Sequence, residues 1–166
     1  MPSLAGSFLI ARPVLKDPNF QHAVVLLLQH DEDGAFGLVI NRPQTVEGIP
    51  YPVFFGGPCK IQGLLMLHGH ETWKDTQEEQ SREVCPGVYL GDPTSFEKVA
   101  DPEPGEELRF RMFSGYSGWG PSQLERELAE GSWAVVPATS QVIFDMPSEH
   151  VWQHLVPPSI PQPSVN

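Results

Sequence analysis

The chain is poor in cysteine and in basic residues, and each scarcity excludes a class of protein. Its two cysteines, Cys59 and Cys85, stand far apart and form neither a disulfide framework nor a CxxC zinc pair. Lysine and arginine total 10 against 21 acidic residues, so the formal net charge is −11 and phosphate backbones are repelled. We therefore predict no direct contact with nucleic acid.

Long apolar runs are also missing. No run approaches the roughly 20 residues that a membrane-spanning helix needs. The first residues lack a basic leader, and Arg12-Pro13 interrupts the early apolar stretch, so a signal peptide is not indicated. We expect a cytoplasmic protein with no membrane partner. We also predict one domain over residues 1–156 and a proline-rich tail over 157–166.

Apolar runs bounded by turn residues predict more strands than helices. The run 23–28 is continuous and rich in Val and Leu, which predicts a central strand buried on both faces. The turn 31–34 ends in glycine and leads into a second strand over 35–40, which makes an antiparallel hairpin. Further strands are predicted over 8–11, 53–55, 64–68, 88–90, 108–113, 133–136 and 141–144. Short helices are predicted after Asp92, over 121–130 and from Ser148 as N-cap. The pattern indicates an α+β fold.

The glycine-rich segment 113–125 is the most informative local feature. It predicts a strand, a sharp turn around the rings of Tyr116 and Trp119, and a helix with Pro121 at its first position. The first N–H groups of a helix have no partner within it and attract anions. We therefore predict a hollow with aromatic walls and bare amides from residues 118–123 as its floor.

From these features we predict a ligand-binding pocket where strand ends meet the glycine turn. Arg42 is its natural partner for an anion. The predicted binding residues are Asn41, Arg42, Gly56, Gly57, Tyr116, Ser117, Trp119 and Gln123. The partner we expect is a small anionic ligand or another protein, and we predict no cofactor.

A hydrolase that uses Ser117 or Cys59 is the alternative. The G-x-S-x-G pattern of a nucleophile elbow fails because Trp119 stands where its second glycine belongs. Cys59 follows a Gly-Gly-Pro turn and could pair with one of six histidines, although an isolated cysteine beside an apolar strand is usually a buried hydrophobe. We predict no catalytic residues.

Two histidine pairs have spacings that could bind a metal. One is His68 with His70, and the other is the helical i,i+4 pair His150 and His154. Neither is joined by a cysteine or carboxylate at a familiar spacing, so we interpret both as surface histidines and predict no metal site.

The order of these motifs resembles the AlgH/YqgE family over about residues 6–152. The matching segments are 6–13, 17–20, 24–28 with His30, 34–43, 56–58, 115–119, 123–125, Trp133 and 144–145. The resemblance implies a mixed α/β fold in which a small barrel-like sheet is flanked by short helices. It also implies the family's usual label of transcriptional regulator, which the charge and the lack of a basic recognition helix argue against as direct DNA binding. The loop between Pro43 and Val53 is shorter than the family's, and Pro157-Pro158 cuts its last helix short.

Overall fold

The fold is α+β, as predicted. The computed structural model describes residues 2–15, 17–73 and 83–157. Its strands are β1 (Ser7–Ala11), β2 (Val24–Asp31), β3 (Gly34–Val39), β4 (Pro43–Gln44), β5 (Val53–Phe55), β6 (Leu65–His68), β7 (Glu83–Cys85), β8 (Val88–Leu90), β9 (Phe110–Ser114), β10 (Ser117–Trp119) and β11 (Trp133–Pro137). Its helices are α1 (Pro93–Ala100), α2 (Gln123–Ala129), α3 (Ser140–Phe144) and α4 (Ser148–Leu155), with a 3-10 turn over Glu71–Trp73.

The strands form two sheets. In the sequence, the second sheet (β4–β9) is inserted between β3 and β10 of the first. The first has the order β10-β3-β2-β1-β11, and the second has the order β4-β5-β9-β6-β8-β7. Among the strands that the structure describes, all pairings are antiparallel except that of β5 with β9. The predicted hairpin of β2 and β3 is confirmed, with a bulge between Leu27 and Gln29. Within the described residues, both orders are open and neither sheet closes into a barrel.

The first sheet is buried on both faces, which explains its continuous apolar strands. Successive residues of a strand point to opposite faces. In β1, Phe8 and Ile10 face a core shared with the second sheet, whereas Leu9 and Ala11 face a second core that contains Leu124 of α2. A third, smaller core lies on the other face of the second sheet, against α1.

One strand prediction and one N-cap prediction need correction. Residues 141–144, predicted as a strand, lie in α3, because the Thr139 hydroxyl accepts a hydrogen bond from the Val142 N–H and caps the helix. A short apolar run cannot distinguish strand from helix by its periodicity. Helix α4 begins at Ser148 but its N-cap is Pro147. Residues 158–166 of the predicted tail lie outside the described residues.

Candidate functional site

The glycine turn is not an open strand–turn–helix cup. Residues 117–119 form β10, which pairs with β3 and places Gly118 opposite Phe36. Ser122 has a left-handed backbone (φ 63°), so α2 starts only at Gln123, and Pro121 lies in the preceding turn. The Gly120 N–H donates to the Gln123 side-chain oxygen at 3.0 Å, which occupies one of the amides expected to be bare.

Trp119 is mainly a core residue, although it also borders a cavity near Asp31. It is 6% exposed and stacks on Phe20. Its indole N–H donates to a Glu127 carboxylate oxygen at 3.0 Å, and the Trp133 indole donates to the same oxygen at 2.8 Å. The other oxygen accepts from Gln123 at 3.0 Å. The rings of Phe20, Trp119 and Trp133 therefore pack together where the hollow was predicted. The Glu127 carboxylate fixes the positions of both indoles.

Gly56 and Gly57 are required for close backbone approach. A Cβ on Gly57 would lie 2.2 Å from the carbonyl of Tyr116, and one on Gly56 would lie 2.4 Å from the Gly115 carbonyl oxygen. Ser117 is fully buried and its hydroxyl donates to the Gly56 carbonyl at 3.1 Å. These residues join the two sheets where the chain crosses between them.

Asn41 and Arg42 hold a different part of the chain. The Asn41 side chain accepts from the Val24 N–H at 3.0 Å and donates to the His22 carbonyl at 2.9 Å. The Arg42 guanidinium donates to the carbonyls of Asn19 and Gln21. Burial lowers the pKa of Arg42, with Asp17 opposing the shift. Both side chains line a small cavity beside α4, whereas Trp119 lines another near Asp31. The predicted binding residues thus lie in separate places.

The nucleophiles of the alternative hypothesis have no histidine partner among the described contacts. Ser117 is committed to the Gly56 carbonyl, and no hydrogen bond joins the Cys59 thiol to an imidazole in the described part of the chain. The backbone of Cys59 instead pairs with that of Tyr116 through an isolated bridge. Neither arrangement has the base that activates a nucleophile.

The prediction of surface histidines is wrong for His68. Its side chain is fully buried, and Nδ1 accepts from the His70 N–H at 3.1 Å while Nε2 lies 3.1 Å from the Ser95 hydroxyl. His150 and His154 are exposed, as predicted. Across residues 2–15, 17–73 and 83–157, no group of three or more His, Cys, Asp or Glu side chains is arranged to hold a metal ion.

An apolar groove lies on the second sheet, away from the glycine turn. It has a volume of about 470 Å³ and runs between the segment before β5 and the corner between α3 and α4. Tyr51 and Phe110 meet edge to face across it with ring centroids 5.2 Å apart. Its other lining residues include Pro43, Pro52, Phe54, Leu108, Met146 and Pro147. We call this the apolar groove.

A cationic end adjoins the apolar groove. A second cavity of about 270 Å³ shares Leu108 and Arg111 with the groove and is also lined by His70, Arg109 and Asp145. Arg109 directly precedes β9 and Arg111 is its second residue, a spacing that brings side chains to one face of an extended chain. The site therefore joins an apolar body to an end with two guanidinium groups and the carboxylates of Glu107 and Asp145. We call this the cationic end for its two arginines, with which an amphipathic anion could pair.

The two arginines differ in how firmly they are held. Arg111 donates to the carbonyls of Phe110 at 3.0 Å and Phe144 at 2.6 Å, and it lies over the Phe54 ring at 5.6 Å. Burial lowers the pKa of Arg111, while the charge of Asp145 opposes this shift. An arginine stays charged under such shifts. Arg111 therefore contributes a positive charge at a fixed position in the lining of the site.

Arg109 is the more available of the two. Its guanidinium lies 5.0 Å over the Phe144 ring and donates to the Asp145 carboxylate at 2.7 Å. This ion pair is solvent-accessible, with side-chain exposures of 35% and 52%. Its backbone N–H donates to His70 Nε2 at 2.8 Å, which fixes the position of the main chain. Only one of the five guanidinium donors is used by the described residues.

Reasoning from the sequence missed this site. The alternation of residues 108–113 predicts a half-exposed strand, and that strand is β9. The available signal was the Arg-x-Arg pair, which carries two of only 10 basic residues in an acidic chain. The order of the strands in the sheet brings Phe54, Phe144 and Asp145 beside this pair of arginines. No local sequence pattern encodes the strand order.

The sequence of the chain matches a known protein family. The sequence profile described as DUF179, AlgH-like, matches residues 8–158, and the chain belongs to this AlgH-like family. It is 36% identical to a UPF0301 protein of Myxococcus xanthus, over 92% of this chain and 88% of that protein. It is 37% identical to a UPF0301 protein of Streptomyces coelicolor, over 93% and 86% respectively.

Solved structures show the same architecture. The solution structure of AlgH from Pseudomonas aeruginosa superimposes with a TM-score of 0.70 at 28% identity, covering 91% of this chain and 86% of that one. A crystal structure of a Corynebacterium diphtheriae protein gives a TM-score of 0.74 at 21% identity, covering 93% and 85%. The second likeness concerns the fold alone. No helix in the described part of this chain is both long and apolar enough to cross a membrane.

Proposed function

We propose that this AlgH-like protein is a cytoplasmic regulatory protein that works by binding a small organic anion, without chemistry of its own. The observation that carries the proposal is the continuity of the apolar groove with the cationic end through Leu108 and Arg111. Ligand pockets are mostly apolar with a few placed polar groups, and this site has that composition. A ligand signal would then pass to a protein partner.

The charge distribution supports an anion as the ligand. The chain as a whole carries a formal charge of −11, whereas the two arginines at this site are matched by only two carboxylates, Glu107 and Asp145. Guanidinium groups bind carboxylates through paired hydrogen bonds. Phosphate backbones, in contrast, are repelled by the net negative charge of the chain. We expect no binding of a labelled DNA duplex at low salt, where phosphate contacts are strongest.

Hexanoate and hexan-1-ol provide a matched pair of probes. They share an alkyl chain that fits the apolar groove and differ in the charge that would reach Arg109. We expect hexanoate to produce saturable shifts of the backbone NMR signals of residues 108–111 and 146–148, with weaker binding of the alcohol. If hexanoate produces no saturable shift at these residues, the proposal is wrong.

Two variants separate the two halves of the site. Arg109→Gln is expected to weaken hexanoate binding by about tenfold, the order of one charge-assisted hydrogen bond, and to leave hexan-1-ol unaffected. Tyr51→Ala is expected to weaken both probes because it removes an apolar wall. Arg126→Gln is the matched control, because Arg126 is an exposed arginine on α2, which packs on the first sheet. Equal losses from both arginine variants would contradict the assignment.

A further inference from the structure

The cationic end already holds a carboxylate from the protein itself. Asp145 is the residue that ends α3, and its Oδ1 accepts from Arg109 at 2.7 Å. Its side chain is 52% exposed, so the ion pair lies at the mouth of the site and not in the core. A ligand carboxylate that reaches Arg109 therefore either shares the guanidinium with this internal carboxylate or displaces it.

We propose that Asp145 is an internal competitor that occupies Arg109 and weakens the binding of anionic ligands there, so that an anion gains full use of Arg109 only by displacing a carboxylate. This inference rests on the proposed function. The ligand class that this competition fits is a carboxylate attached to an apolar body, because Arg109 already pairs with a carboxylate and the apolar groove adjoins it. Neutral amphiphiles can enter the apolar groove, but they cannot replace Asp145.

The surroundings of Asp145 allow it to leave without unfolding the site. The charged or titratable groups that face the pair are His70, Glu107 and Arg111, which line the same cavity. Arg111 is anchored to the carbonyls of Phe110 and Phe144, so it stays in place when the Asp145 side chain swings away. Exposed ion pairs contribute little to stability, and breaking this one carries a small cost.

The position of Asp145 links ligand binding to the α3–α4 corner. The next residues, Met146, Pro147 and Ser148, line the apolar groove and lead directly into α4. A ligand could displace Asp145 with its carboxylate and contact Met146, Pro147 and Ser148 with its apolar body. It would then act on both ends of the short connection between α3 and α4. We therefore expect the conformation of the α3–α4 corner to change when a ligand occupies the site.

Asp145→Asn tests the competition directly. Removing the competing charge is expected to tighten hexanoate binding about two- to fivefold, the range that corresponds to an exposed ion pair. Binding of hexan-1-ol is expected to stay the same, because it does not use Arg109. The matched control is Glu130→Gln, which removes one acidic charge from an exposed position at the end of α2. NMR titrations of all three proteins with both probes give the affinities.

The outcomes distinguish this inference from the proposed function. If the unmodified protein binds hexanoate and Asp145→Asn binds it no more tightly, the competition is refuted while the proposed function stands. Equal tightening of both probes also refutes it, because Asp145 would then affect the groove in general. If neither protein binds either probe, the proposed function itself fails. Asp145→Ala serves as a second variant, since it removes the carboxylate without adding an amide, and it should match Asp145→Asn.

Discussion

His68 should make the stability of this protein sensitive to mild acid. Its ring is fully buried between the second sheet and α1 and contacts Trp73 and Tyr89. Because Nδ1 accepts from the His70 N–H, Nε2 carries the proton and donates to the Ser95 hydroxyl. Ser95 in turn donates to Asp92, which caps α1. A second proton on Nδ1 would face the His70 N–H, so the network holds only a neutral ring.

The magnitude follows from the pKa. Burial, with a smaller contribution from the charge of His70, lowers the pKa of His68 from 6.5 to about 4. The unfolded chain therefore binds a proton on this residue between these pH values, whereas the folded chain does not. The stabilisation is complete above pH 6.5 and is lost as the pH falls towards 4. Between pH 7.5 and pH 5 the linkage relation gives a loss of about 2 kcal/mol in the free energy of unfolding.

Urea unfolding at the two pH values measures this loss. We compare the protein with His68→Gln, which cannot titrate and keeps an amide donor near Ser95. The variant will be less stable overall, so the quantity of interest is the difference between its two free energies. That difference should be about 2 kcal/mol smaller than in the unmodified protein. His154→Gln, at an exposed position, is the control and should keep the full pH dependence. An unchanged pH dependence in His68→Gln would refute the reasoning.

Three further substitutions test contacts of the fold. Glu127→Ala leaves two indole N–H groups without their acceptor and should cost about 2–4 kcal/mol in urea unfolding, while hexanoate binding stays unchanged. Gly57→Ala places a Cβ 2.2 Å from a neighbouring carbonyl and should cost about 3 kcal/mol or more, whereas Gly63→Ala (φ 76°, with no atom within 4 Å) should cost about 1 kcal/mol by thermal unfolding. Arg42→Gln releases the carbonyls of residues 19 and 21, so amide exchange should accelerate there first; uniform acceleration across the chain would contradict this local role.

Local sequence patterns predicted the elements better than their contacts. The run 23–28 predicted a strand buried on both faces, and β2 occupies the middle of the first sheet. The Gly34 turn predicted the hairpin because the position needs a positive φ, which is 135° in the structure. Asp92 before Pro93 predicted the start of α1. Each of these signals acts within a few residues, where backbone geometry and capping decide the outcome.

The glycine segment shows where such reasoning fails. The aromatic residues between glycines predicted a hollow, but Trp119 has Phe20, Glu127 and Trp133 as partners. A local pattern can indicate a bend and cannot indicate what fills it. The local patterns likewise could not indicate that Arg42 and Trp119 line different cavities.

The amino-acid order alone determined the family, the α+β class and the acidic surface, since these depend on motif order, on local periodicity and on a count of charges. The tertiary structure alone decided that Arg109 and Arg111 stand beside an apolar groove with Asp145 at its mouth. That arrangement depends on the parallel pairing of β5 with β9 and on the place of the α3–α4 corner, which bring together residues about 35 to 90 positions apart. Pairings over such separations are selected by the burial of whole sheets, and no short stretch of sequence carries that information.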